Sequence, residues 1–154
     1  MQEIYVVDTN VFIQLRQYPR EIFVSLWEAL EESIDGGIFT SVDEVRKELS
    51  RSDGTISEWA KGYRSIFSKP SIEEQRMVLD IVTRFPAVMK EKNLLLGIPE
   101  ADPFLIAKAS IKGYTVMTLD KKKPNAAKIP NICEHYGVPC VSLFDFFARK
   151  GWRV

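Results

Sequence analysis

Apolar residues run together near the amino end, where Ile4-Tyr-Val-Val7 leads directly into a carboxylate, Asp8. A short apolar run of this kind predicts a buried strand over residues 3–8 that ends on the acid. The period then changes. Val11, Phe12 and Leu15 recur at helical spacing until Tyr18-Pro19, and Ile22, Phe23, Leu26, Trp27, Leu30 and Ile34 form a longer helical face that Gly36-Gly37 stops. Ile38-Phe39-Thr40 is compact and apolar enough for a second strand.

Three helix starts follow. Ser41-Val-Asp-Glu44, Thr55-Ile-Ser-Glu58 and Ser71-Ile-Glu-Glu74 each have the form of a capping box, with the hydroxyl residue at N-cap and Glu three positions on. The middle third, roughly 41–92, is therefore expected to be a run of three helices, with Pro86 kinking or ending the last. The final third alternates: a helix opened by Asp102-Pro103 and ended at Gly113, a strand over Tyr114–Thr118, a polar loop over Lys121–Lys128, a short helix over Ile132–Tyr136, a strand over Pro139–Ser142 and a closing helix over Leu143–Lys150. Strands alternating with helices imply an α/β fold: one domain, residues 1–154, with a central parallel sheet flanked by helices and a helical insertion in its middle third.

Length and composition narrow the class. A chain of 154 residues fits a single core, and 45% hydrophobic with 27% charged residues is the balance of a globular domain. No apolar run is long enough to cross a bilayer, and Met1-Gln-Glu3 offers no basic lead into a signal sequence, so a cytoplasmic protein without membrane contact is expected. The 21 basic and 21 acidic residues cancel, unlike the basic profile of an electrostatic clamp on duplex DNA. Cys133 and Cys140 match no zinc or redox spacing and suit small buried positions. The single histidine, His135, rules out a two-histidine metal site.

Carboxylates are the candidate ligand-binding groups, because open parallel sheets bind ligands beyond the carboxyl ends of their strands. Asp8 ends the first strand, where an acid is costly to bury unless something cationic meets it. It can also cap the next helix. Glu44 is explained by the capping box, whereas Glu48, one turn later, is not. Asp102 before Pro103 is a favourable N-cap, which leaves a second oxygen for a ligand role. Asp120 precedes Lys121, Lys122 and Lys123, a run that either forms a solvated turn or meets phosphates. Four such acids make an oxygen-only donor set of the kind taken by Mg2+ or Mn2+. Ions so held acidify a bound water and offset charge on a phosphate, and two of them about 4 Å apart can act together.

These motifs, in order, carry a resemblance. Val-Val-Asp8-Thr-Asn10-Val-Phe-Ile, then Val45-x-x-Glu48-Leu49, then Asp102-Pro-Phe-Leu-Ile-Ala-Lys-Ala, then Thr118-Leu-Asp120 resemble the PIN-domain nucleases, including the toxin ribonucleases of VapC-type toxin–antitoxin pairs. The resemblance covers nearly the whole chain. It implies cleavage of single-stranded RNA with Mg2+ or Mn2+, an acidic cluster of Asp8, Glu48, Asp102 and Asp120, and support from Asn10 and Thr118. It also implies homodimers and a small antitoxin protein. The segment 52–100 is more elaborate than in a minimal member, and Lys121–Lys123 replace the frequent acidic or aromatic continuation. Trp152 is expected to pack rather than stack on a base.

Two other readings fit parts of the pattern. Asp8-Thr-Asn10 is similar to the nucleophile motif of haloacid-dehalogenase-like phosphatases, but with Asn10 in place of the second acid. A PIN-like scaffold that binds RNA or protein without cutting is the non-enzymatic alternative.

Overall fold

The computed structural model describes residues 2–51, 54–89 and 100–152. The sequence readings that extend over residues 52–53, 90–99 and 153–154 lie outside the described residues. Five strands, β1 (Tyr5–Val7), β2 (Phe39–Val42), β3 (Phe67–Ser68), β4 (Thr115–Met117) and β5 (Cys140–Val141), form one sheet in the order β3-β2-β1-β4-β5. Every neighbouring pair is parallel. Eight described helices flank it: α1 (Thr9–Leu15), α2 (Val24–Asp35), α3 (Asp43–Ser50), α4 (Thr55–Gly62), α5 (Ile72–Arg84), α6 (Ala101–Lys112), α7 (Ile129–Tyr136) and α8 (Leu143–Lys150). The α/β parallel-sheet architecture expected from alternation is the one observed.

β1 is central because it is apolar on both faces: Tyr5, Val6 and Val7 are all buried, as a strand covered on two sides requires. Tyr5 packs edge-on against Phe146 of α8 at 4.8 Å, and Phe12 of α1 packs edge-on against Phe39 at 5.9 Å. α6 is apolar nearly all round, with Ala101, Pro103, Leu105, Ile106, Ala107 and Ala109 buried, so it lies against β1, β2, β4 and α5. Trp152 packs on Phe146 and Phe147, at 5.1 and 5.5 Å between ring centres.

The middle third departs from a run of helices. β3 is inserted between α4 and α5, preceded by a 3-10 turn at Arg64–Ile66, and pairs Ser41↔Phe67 and Val42↔Ser68. Two residues are too few to show an alternating pattern in the sequence. The helix starts also differ from the capping-box reading. Ser41 lies within β2, donating its hydroxyl to Val7 O at 2.6 Å, and α3 has Val42 at N-cap without a side-chain cap. Gly54, not Thr55, is the N-cap of α4. Only Ser71 caps as expected, its Oγ accepting the Glu74 N–H at 3.1 Å. Pro86 does end α5, opening a 3-10 turn at Pro86–Val88.

Two polar clamps hold neighbouring strands together. Lys108 on α6 is buried and donates to Ser41 O at 2.7 Å and Ser68 Oγ at 3.0 Å, fastening the ends of β2 and β3. Burial pulls its ammonium down to about 8, against the charge of Glu74. On the other side Glu3 accepts from Thr115 Oγ1 at 2.8 Å, from Tyr5 and from Arg149, joining β1, β4 and α8.

Partial burial works against ionisation of Glu3, but hydrogen bonds from Arg149, Tyr5 and Thr115 outweigh it and hold the carboxyl at about 2. A depressed carboxyl stabilises the fold above its unfolded value, and this contribution is lost as pH falls through about 2. Glu3→Gln should therefore cost about 1 kcal/mol or less near neutrality, given its partial exposure. Urea denaturation of variant and wild type should converge at strongly acid pH; a gap independent of pH contradicts the ionic role.

Candidate functional site

Strand order reverses between β1 and β4, and the crevice beyond their carboxyl ends is where such sheets bind ligands. Asp8 stands there, one residue past β1, with its N–H still bonded to Met117 O at 2.9 Å. Asp8 is 5% exposed, and its carboxylate has two fixed partners. Oδ1 accepts the Thr9 N–H at 2.7 Å as N-cap of α1, and Oδ2 accepts the Thr118 hydroxyl at 2.7 Å. Asp8 is thus both helix cap and strand-end acid.

Thr118 Oγ1 uses its full capacity of one donor and two acceptors. It donates to Asp8 and accepts from Asp120 N at 3.1 Å and, more weakly, from Asn10 Nδ2 at 3.4 Å. Asn10 Nδ2 also reaches Asp120 Oδ1 at 3.3 Å, and Asn10 Oδ1 accepts the Leu119 N–H at 3.1 Å. The side chains of Asn10 and Thr118 therefore sew the start of α1 to the loop after β4 and fix Asp8 beside Asp120. Across the crevice, Thr9 donates to Glu48 Oε1 at 2.9 Å. The structure thus brings the distant sequence positions 8, 10, 48, 118 and 120 into one network.

A cleft of about 370 Å³ opens over this network. Asp8, Thr9, Asn10, Glu48, Glu100, Asp102 and Asp120 line it, with Ile13, Ala87, Val88 and Ala127 as apolar wall. Among the described residues, Lys128 is the one cation lining it. Burial pushes the Asp8 carboxyl up to about 7, with Thr118 pulling the other way and the charges of Asp120 and Glu48 pushing further. Burial also raises Glu48, against its bond from Thr9, and the charges of Asp102 and Glu100 add to the rise. The repulsion thus links all five acids, from Asp120 through Asp8 and Glu48 to Asp102 and Glu100.

All four carboxylates singled out in the sequence line this cleft. Asp102 does so from inside α6 rather than as its cap, because Glu100 holds the N-cap position and is itself buried. Glu100 was hidden in the sequence by the apparent Asp-Pro helix start two residues later. Lys121, Lys122 and Lys123 are exposed and do not line the cleft, and Lys122 is paired with Glu134 at 2.5 Å. The cation at the cleft is Lys128, at the far end of the same loop, where it is the N-cap of α7. Glu44, which the sequence assigned to a capping box, is instead buried and raised by desolvation; its Oε2 faces Lys47 at 3.8 Å, and its Oε1 has no hydrogen-bond partner among the described residues. Cys133 and Cys140 are free thiols, buried and half-buried.

The donor set fits a hard divalent cation in kind, since it is oxygen only. Among the described residues no group of three or more Asp, Glu, His or Cys side chains stands ready to hold a metal ion directly. Magnesium keeps several waters and commonly uses one or two carboxylates, so this arrangement fits a hydrated ion better than a closed cage.

Two expectations follow for the protein with divalent ions chelated. Thr118→Val strands the Asp8 oxygen and the Asp120 N–H, and should cost about 1–3 kcal/mol by chemical denaturation; an unchanged midpoint contradicts the network. Asp8, raised when folded, binds its proton more tightly in the native state, so stability present below 3.8 is lost as pH rises through about 7. Asp8→Asn keeps a good cap and should melt above wild type at about pH 8, while the two approach each other at about pH 4. A variant that melts lower at the alkaline pH removes repulsion as the governing term.

No curated protein matches the chain at a significant level. A family model described as a domain of unknown function, DUF4411, matches residues 5–154, which span every strand, every described helix and the whole carboxylate cleft. The chain belongs to the DUF4411 family.

Proposed function

We propose that the protein is a metal-dependent endoribonuclease that hydrolyses RNA phosphodiester bonds with Mg2+ or Mn2+, in the manner of the PIN-domain nucleases it resembles. The observation that carries this reading is the gathering of five carboxylates at the switch point of a parallel sheet, faced, among the described residues, by a single lining cation. Such a concentration of like charge is favourable only if cations resolve it. Asp8, Glu48, Asp102 and Asp120 are the residues that would hold the ion, with Glu100 adjoining them. When bound, the ion supplies an acidified water and neutralises charge on the scissile phosphate.

The remaining work belongs to the chain's own residues. Thr118 and Asn10 keep Asp8 and Asp120 in fixed orientations, and Thr9 does the same for Glu48. Holding oxygens in place before substrate arrives lowers the reorganisation needed in the transition state. Lys128 at the cleft rim is placed to meet a non-bridging phosphate oxygen, and Ile13, Val88 and Ala127 give an apolar wall to one side of it. The toxin role, the antitoxin partner, the homodimer and a cytoplasmic setting rest on the resemblance and on sequence composition alone. Among the described residues no helix is long and apolar enough to cross a membrane.

The test is cleavage of mixed single-stranded RNA with mapped ends. Wild type should cut with Mg2+ or Mn2+ and stop on chelation while remaining folded by circular dichroism. Asp8→Asn and Asp102→Asn should each lose at least about 100-fold in rate. Folded variants that cut as well as wild type overturn the mechanism. Release of phosphate from phosphomonoesters without RNA cleavage favours the phosphatase reading, and RNA binding without cleavage favours a scaffold.

A further inference from the structure

A second recess lies on the side of α3 away from the carboxylates. About 180 Å³ in volume, it is lined by Arg46 and Ser50 of α3, Ser57, Ala60 and Lys61 of α4, and Arg64 of the following turn. Three of the six are cations and none is acidic. On a chain with no net charge this is a marked local concentration of one sign.

The cations are not all consumed by neighbours. Arg46 bonds Asp43 through Nε at 2.7 Å, which leaves its two terminal amino groups for another acceptor. Lys61 pairs with Glu58 at 3.1 Å, an exposed contact that gains little in water. The Arg64 side chain and the Ser57 hydroxyl have no hydrogen-bond or ion-pair partner among the described residues. Guanidinium groups with an ammonium and a free hydroxyl suit a tetrahedral oxyanion, since Arg offers planar paired donors and Lys a point charge.

We propose that this recess is a phosphate-binding subsite, and that its occupant is a backbone phosphate of the RNA strand held at the carboxylate cleft. The choice of RNA as the source rests on the nuclease reading; the phosphate chemistry does not. Position supports it. Arg46 and Ser50 flank Glu48 on the same helix, two residues to either side, so the subsite and the cleft are separated by about one helix diameter, ~10 Å. Arg51, at the end of α3, adds an exposed cation to the exposed Lys47 and the half-buried Arg46 along the helix. A strand leaving the cleft past the end of α3 therefore meets positive charge before it reaches the recess.

The experiment is binding of a fluorescein-labelled single-stranded RNA to the full chain in EDTA, read by anisotropy against salt, with inorganic phosphate as a second probe read by melting temperature. Arg46→Gln/Lys61→Gln/Arg64→Gln should weaken RNA binding at least about tenfold and flatten the log–log salt slope by about 2, as expected for three lost contacts to a single strand. Arg64→Gln alone, which removes an exposed side chain with no partner among the described residues, should give a smaller loss and carries the test if the triple variant unfolds. If RNA binding is unchanged but inorganic phosphate raises the melting temperature of wild type and not of the variant, the subsite takes free phosphate and the RNA source is overturned. If neither probe responds to the substitutions, the subsite itself is overturned. Binding is read without catalysis, so a wild type that binds through these residues but cuts nothing defeats the nuclease reading and leaves the subsite standing.

Discussion

Everything at the switch point depends on keeping one buried carboxylate, Asp8, where water cannot fully solvate it. Burial and the charges of Asp120 and Glu48 oppose its ionisation, and the Thr118 hydroxyl and Thr9 amide partly offset them. The fold accepts this strain because Asp8 does three things at once. It completes the ladder between β1 and β4 through its N–H, it caps α1, and it anchors the network that orients Asp120. Its removal as a charge is easy to imagine, but its removal as a hydrogen-bonding group would loosen both strand ends.

The rest of the sheet serves that arrangement. Lys108 fastens β2 to β3, and Glu3 fastens β4 to β1. α6 lies across the sheet with a nearly continuous apolar surface, so that the acids at its start, Glu100 and Asp102, are delivered to the cleft by a helix that packing has already fixed. The same logic places Glu48: Val45 and Leu49 bury one face of α3 and the acid stands at its margin, within reach of Thr9.

How much of this was legible in the sequence depended on whether a feature was local. The apolar run into Asp8, the helical spacing of Val11, Phe12 and Leu15, and the apolar length of α6 carry their own signal, and they gave the parallel α/β fold. β3 left no trace, because two residues take their conformation from pairing with β2 rather than from a pattern of their own. The capping boxes at Ser41 and Thr55 failed because a hydroxyl three residues before Glu is only half of the motif. At Ser41 the sheet claimed the hydroxyl first. The Asp-Pro pair drew attention to Asp102 and away from Glu100, and the lysine run drew attention away from Lys128. In both cases the sequence showed the right chemistry, and only the packing of distant elements decided that Glu100 would join Asp102 in the cleft and that Lys128 would face it in place of Lys121–Lys123.

Binding of divalent cations in the carboxylate cleft is tested most directly by titration calorimetry of the apo protein with Mn2+ near neutral pH. The expected result is saturable binding that releases protons, because Asp8 must give up its proton to become a ligand, together with clear weakening in Asp8→Asn and Asp102→Asn variants that remain folded. Absence of binding to the wild type, or binding unaffected by either substitution, would contradict it.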